Sequence, residues 1–165
     1  MGDNMQHVWS PWRMEYIRKG ISPEGCIFCD ALAGEDGVDN LIVYHSQHAF
    51  VILNRYPYTS GHVMVVPTAH LPTLDGLGEE AIRELFKLVR TSMHVIETLY
   101  KPDGFNLGAN LGSKAGAGVA DHVHFHIVPR WAGDTNFMTS VGQARVLPED
   151  LCETYQRLKN GWPKG

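Results

Sequence analysis

The chain has 165 residues, which suits one domain at roughly 150 residues per domain. Hydrophobic residues make up 44% and charged residues 19%, a globular balance that excludes a disordered or collagen-like chain. A net charge of -4 gives no bulk attraction to nucleic acid, and no apolar run approaches the ~20 residues needed to span a bilayer.

Taken in chain order, Gly2 to Gly25 is an aromatic arm (Trp9, Trp12, Tyr16) punctuated by Pro11 and Pro23, with one helical turn expected over Trp12 to Lys19. Met1 to Arg13 has no apolar signal core, so no secretory leader is expected and the chain is read as cytoplasmic. Cys26 to Ala33 reads as a short helix or turn ended by Gly34 to Gly37. Leu41 to Tyr44 and Ala49 to Leu53 read as strands around a turn at Ser46-Gln47, and His62 to Pro67 as a third strand. Glu79 to Tyr100 is the strongest helix: Ile82, Leu85, Phe86, Val89, Met93, Ile96 and Leu99 recur at helical spacing, and Lys101-Pro102-Asp103-Gly104 stops it. Val95 and Tyr100 add apolar positions beyond that stripe, which is compatible with pairing of two copies. Phe105 to Asn110 reads as a strand, Gly112 to Gly118 as a glycine-rich loop, His122 to Pro129 as a strand, and Pro148 to Leu158 as a C-terminal helix. Strands and helices are segregated, which is α+β with a mainly antiparallel sheet.

Nine histidines stand out, and the last three alternate as His122-Val123-His124-Phe125-His126. Period-2 geometry puts the three imidazoles on one sheet face, with Val123, Phe125 and Ile127 on the other. The apolar face is ordinary core. Three solvated strand histidines are the bland alternative for the other face. Adjacent imidazoles repel when protonated, so burial would keep them neutral, and a neutral imidazole is a nucleophile, an acid/base or a metal ligand. Just upstream, Gly108, Gly112, Gly116 and Gly118 let the backbone approach a ligand, and successive N–H groups there suit an anion. Such loops also often do no more than turn the chain.

Cys26 and Cys29 form C-x-x-C. Three cysteines in all make no disulfide framework. The pair can hold one metal, act in redox chemistry or simply pack. The redox reading lacks its βαβ context, and a tetrahedral metal site needs two more ligands. Cys152 falls in the C-terminal helix pattern and reads as core packing.

His-x-His-x-His with apolar spacers is the histidine triad motif, and the chain resembles the histidine triad superfamily of nucleotide hydrolases and transferases. The resemblance runs from Cys26 to Arg130 and includes Cys26-Ile-Phe-Cys29, Asn54 to His62, Val65 to His70 and Asn110. The stretches Trp9 to Ile17 and Pro129 to Met138 look like the branch that includes prokaryotic diadenosine tetraphosphate phosphorylases. The resemblance implies a five-stranded antiparallel sheet with one long helix and short terminal helices, in a triad domain over 26–138. An arm over 1–25 and an extension over 139–165 flank it.

It also implies roles. His124 matches the nucleophile that attacks the α-phosphorus, His126 a donor to phosphate oxygens, and His122 the first triad histidine. Asn54 matches the residue that binds ribose hydroxyls, with Ile52 and Met64 lining the base pocket or serving as plain core. His62 matches a histidine behind the phosphate site, and Asn110 an amide near the phosphate or nucleophile. Gly116 and Gly118 supply the loop. Lys114, Arg55 and Arg130 are charge candidates. His70 and His122 match the two remaining zinc ligands. The loop Ala117-Gly118-Val119 departs from hydrolase members that carry a hydroxyl there, which leaves phosphate contact to the backbone. The activity implied is cleavage of dinucleoside polyphosphates through a nucleotidyl-histidine intermediate, with diadenosine tetraphosphate phosphorolysis to ADP and ATP as its sharpest form. Hydrolysis of diadenosine polyphosphates or adenosine phosphoramidates is an alternative on the same scaffold. A slow nucleotide-binding signalling module is another. The partners implied are a nucleotide substrate and a second copy of the chain, with a structural zinc and no organic cofactor. A zinc-stabilised nucleic-acid binder fits poorly with the absence of a basic run.

Overall fold

The computed structural model describes residues 25–134 and 149–163. The expected helical turn over 12–19, the arm up to residue 24 and the stretch 135–148 lie outside the described residues. The elements in order are α1 (Ile27–Ala33), β1 (Ile42–His45), β2 (Ala49–Leu53), β3 (Val63–Pro67), α2 (Glu79–Tyr100), β4 (Gly104–Gly108), a 3-10 turn (Ser113–Ala115), β5 (Phe125–Arg130) and α3 (Leu151–Gly161). The strands form one antiparallel sheet in the order β1-β2-β3-β5-β4.

Every residue of β2 and β3 is buried, and their sequences are accordingly apolar on both faces. Directly paired residues share a face, so the register sorts the sheet. Ile52 pairs with Met64, and Met64 with His126, on one face. Val51 pairs with Val65, Val65 with Phe125, and Val63 with Ile127, on the other. Helix α2 crosses β2, β3 and β5. Its buried residues are Leu85, Leu88, Val89, Ser92, Val95 and Ile96. Each large aliphatic side chain so buried contributes ~1.5–3 kcal/mol.

This buried stripe differs from the one expected. Phe86 stays 45% exposed and meets Phe125 edge-on at 5.5 Å. Val95 is in the core, and the Tyr100 hydroxyl donates to Glu149 Oε2 at 2.6 Å, so both supposed surplus positions are used within the chain. Helix α2 ends where Lys101 takes a left-handed φ of 48° and Pro102 follows.

Local chemistry sets the remaining joints. The β1–β2 turn closes with Ser46 N–H donating to Ala49 O, and Glu84 Oε1 of α2 accepts N–H bonds from His48 (2.7 Å) and Ala49 (3.2 Å). Gly61, at φ +78°, completes the turn into β3, a conformation open to glycine without strain. Helix α3 starts three residues later than the sequence pattern suggests, because Asp150 caps it through the Glu153 N–H at 2.8 Å. It packs on α2 and β1, and Trp162 just beyond it stacks on Tyr44 at 5.1 Å. Cys152 is exposed on α3, so the core-packing expectation fails: Thr154, Tyr155 and Leu158 form the buried face instead.

Candidate active site and metal cluster

A cleft of about 700 Å³ opens on the sheet face that carries Ile52, Met64 and His126. Ile52 and Met64 line its floor at 7% exposure each, and Ile27, Phe28 and Ala31 of α1 form a wall. Asn54, which follows β2, lines the cleft, and its Oδ1 accepts the Tyr56 N–H at 2.9 Å. His124, His126, Asn110, Gly116 and Gly118 also line it. Gly116 adopts φ +88°, closing the turn after the 3-10 segment, and its carbonyl accepts from Asn110 Nδ2 at 3.4 Å. Arg55 borders the cleft with its guanidinium donating to Asp39 O. Arg130 is bound to Asp134 and to Asn106 and does not line the cleft, and neither does Lys114.

The triad is not one continuous strand. Sheet pairing begins only at Phe125, because the segment before it is held by other bonds. Val123 N–H donates to Leu71 O at 2.7 Å, and the His122 ring bonds Pro67 O at 2.8 Å through Nε2. These anchors fix tautomers. A carbonyl can only accept, so His122 carries its proton on Nε2 and presents the Nδ1 lone pair to the thiols. His124 Nδ1 likewise donates to His122 O at 2.8 Å, which leaves its Nε2 with a lone pair. Burial holds His122 below the usual histidine range, helped by nearby His70 and His124 and opposed by the Pro67 bond. Burial likewise holds His124 down, against the bond to the His122 carbonyl. Both rings are therefore neutral near pH 7.

His62 is fully buried beside His126, with ring centroids 5.1 Å apart. Its Nδ1 accepts the Tyr58 N–H at 3.1 Å, so its proton sits on Nε2 and is donated to His126 Nδ1 at 3.0 Å. Asn54 Nδ2, another donor, lies farther off at 3.4 Å. In the neutral state His126 then carries its own proton on Nε2. A neutral nucleophilic nitrogen beside a directed N–H suits attack at a charged phosphorus centre.

Cys26, Cys29, His70 and His122 converge, with one ligand atom of each lying within 4.8 Å of the others. Cys26 Sγ is 3.3 Å from His122 Nδ1, and Cys29 Sγ is 3.4 Å from His70 Nδ1 and 3.8 Å from His122 Nδ1. Tetrahedral zinc, with bonds of ~2.3 Å to sulfur and ~2.0–2.1 Å to nitrogen, separates S from N by about 3.5 Å, so the four residues fit that ion. The Pro67 carbonyl on His122 Nε2 is the outer partner that metal-bound histidines use. Burial, followed by the neighbouring Cys26, pushes the Cys29 thiol up, a cost that a bound cation would offset.

The family model for the HIT domain matches residues 36–133. The chain belongs to the HIT domain family. Among HIT relatives, the "AP-4-A phosphorylase" of Mycobacterium tuberculosis H37Rv is 36% identical over 98% of this chain and 87% of its own length. A solved hypothetical histidine triad nucleotide-binding protein from Sulfolobus tokodaii is 31% identical at TM-score 0.63, covering 82% of this chain and 88% of its own. A Zn-bound histidine triad family protein from Mycobacterium smegmatis is 25% identical at TM-score 0.66, covering 84% and 93%.

The structure brings His124, His126, Ile52 and Met64 together at the cleft and the two cysteines beside His70 and His122, and it adds Phe28, which the sequence pattern did not single out. That ring is 1% exposed, lies 5.3 Å from the His122 ring and 4.9 Å from the His124 ring, and lines the cleft. Its signal was its place inside the C-x-x-C helical turn, which turns an apolar residue between the two thiols toward the fold. Tyr58, stacked on His62 at 4.9 Å, was also missed; no periodicity marks it in its turn.

Proposed function

We propose that this chain is a nucleotidyltransferase that cleaves dinucleoside polyphosphates, with phosphorolysis of diadenosine tetraphosphate to ADP and ATP as its reaction. The observation that carries this is the 2.8 Å bond from His124 Nδ1 to the His122 carbonyl, which leaves a neutral Nε2 lone pair in a cleft with an apolar floor. An adenine lies over Ile52 and Met64, and Asn54 receives the ribose. His124 Nε2 attacks the α-phosphorus; the N–P bond forms as the P–O bond to the rest of the molecule breaks, and ATP leaves. A phosphate oxygen then attacks the same phosphorus, the N–P bond breaks, and ADP is released. His126 Nε2–H stabilises the charge on the non-bridging oxygens, while the Gly116 and Ala117 N–H groups donate to Ser113 O and Gly112 O and hold the loop's shape beside it. The choice of substrate and acceptor is supported by the 36% identity to the M. tuberculosis phosphorylase over nearly the whole chain.

The thiol–imidazole cluster holds a structural zinc in this reading: Cys26, Cys29, His70 and His122 ligate it, and the ion ties α1 to the sheet. The protein works in the cytoplasm as a homodimer, and its catalytic domain runs over 26–138. Among the described residues no helix is long and apolar enough to cross a membrane.

The test is product analysis on diadenosine tetraphosphate with and without inorganic phosphate. ADP plus ATP, formed only with phosphate, is the expected result. AMP plus ATP in both conditions would replace the phosphorylase by a hydrolase on the same intermediate. Absence of product would refute the substrate.

A further inference from the structure

We propose that the metal at Cys26, Cys29, His70 and His122 and the nucleotide in the cleft bind with mutual gain, transmitted by Phe28 and the His122 main chain. The proposal rests on the zinc and nucleotide readings above. Two physical links carry it.

The first link is His122. Its ring is fully buried, faces both thiols through Nδ1 and is tied to Pro67 O through Nε2, while its own carbonyl holds the nucleophile at 2.8 Å. The next residue is laced to the His70 side by the Val123 N–H to Leu71 O bond of 2.7 Å. A metal that fixes the His122 ring therefore also fixes the carbonyl that orients His124.

The second link is α1. A seven-residue helix whose N-cap makes no side-chain hydrogen bond does not hold itself together in water. Tertiary ties keep it in place: the two thiols at Cys26 and Cys29, the Asn40 Nδ2 bond to Ala31 O at 3.3 Å, and the buried Phe28 ring against His122 and His124. The same helix is a wall of the cleft through Ile27, Phe28 and Ala31. Metal orders this wall from behind and a nucleotide orders it from the front. Whichever binds second meets a helix already ordered, so its affinity rises. Linkage makes the gain reciprocal. Phe28 and His122 act here as positioning residues.

The experiment uses the full chain loaded with zinc. Zinc affinity is measured by competition with a chromophoric chelator, with and without saturating AMP. AMP affinity is measured by calorimetry on the zinc-loaded and the chelator-stripped protein. AMP is expected to raise zinc affinity by a factor within the roughly 5–150-fold range usual for coupled sites, and zinc to raise AMP affinity by the same factor. Phe28→Leu keeps zinc and brings the factor toward one. A purely structural metal would give equal AMP affinity in both forms and a chelator competition blind to AMP; that result refutes the coupling while both site assignments stand. Failure of the wild-type chain to bind zinc, or to bind AMP, removes the corresponding site and the proposal with it. The wild-type pair of measurements decides the matter even where the variant fails to fold.

Discussion

His62→Phe tests the histidine relay. The substitution keeps a ring in the buried slot but removes both ring nitrogens. The Tyr58 N–H loses its acceptor at 3.1 Å, and His126 Nδ1 loses the donor at 3.0 Å that fixes its tautomer. Losing the part-buried Tyr58 hydrogen bond costs ~0.5–1.5 kcal/mol, or roughly 1–6 °C of melting temperature at ~2–4 °C per kcal/mol for a chain of this size. His126 is then no longer committed to a proton on Nε2. Losing a hydrogen bond to a charged phosphate is worth ~1.5–3 kcal/mol, or about 10- to 150-fold in kcat/KM. The assay is initial rates on diadenosine tetraphosphate beside thermal melting. His62→Gln is the control, since an amide offers an acceptor to Tyr58 and a donor to His126; it should recover much of the rate. A folded His62→Phe enzyme with unchanged kcat/KM would refute the relay.

Three further outcomes are expected. His124→Ala should lower turnover by several orders of magnitude, as removal of a covalent nucleophile does, while AMP binding by calorimetry persists. Cys26→Ser should reduce the zinc content read by elemental analysis and lower the melting temperature, since it takes one thiolate from the cluster. Glu84→Gln should cost about 1–2 kcal/mol in denaturant melts at pH 7 by weakening the turn bonds to His48 and Ala49. Burial raises the Glu84 carboxyl, but the His48 N–H, the Ser46 hydroxyl and the Ala49 N–H outweigh it and hold the group below the usual glutamate range. Its stabilisation is therefore present above the unfolded-state value and is lost as pH falls through the folded one, so the gap between wild type and variant should close on acidification. A gap that stays constant down to acid pH would refute this account.

The elements legible in the sequence are those whose own chemistry decides them. Helix α2 is legible to the residue because Glu79 and Glu80 open it and Lys101-Pro102 closes it. β2 was equally plain, as an apolar run between turns. β1 starts one residue late because Leu41 takes a φ of 64°, a backbone state that periodicity does not encode. The triad was legible as chemistry but not as structure: three alternating histidines promise a strand, yet His122 spends its ring on Pro67 and the thiols, and pairing waits for Phe125. Helix α2 lies across β2, β3 and β5, whose placement under it is not encoded in the helix's own periodicity, so Phe86 and Leu88 exchange roles relative to the expected stripe.

The cluster also bears on how the chain finds its fold. Cys26 and Cys29 are neighbours along the backbone, but His70 is 41 positions from Cys29 and His122 is 96 positions from Cys26. A cation held by all four would act as a cross-link spanning most of the described chain. In the unfolded ensemble only the two thiols are near enough to chelate, so capture there is weak. Full coordination waits until β3 has delivered the segment up to His70 and the approach to β5 has delivered His122. The ion would thus grip late intermediates far more tightly than early ones, and loop-closure entropy would be charged against the unfolded state. Metal supply during synthesis, beyond its effect on the finished protein, would set how often the chain completes its sheet before it aggregates.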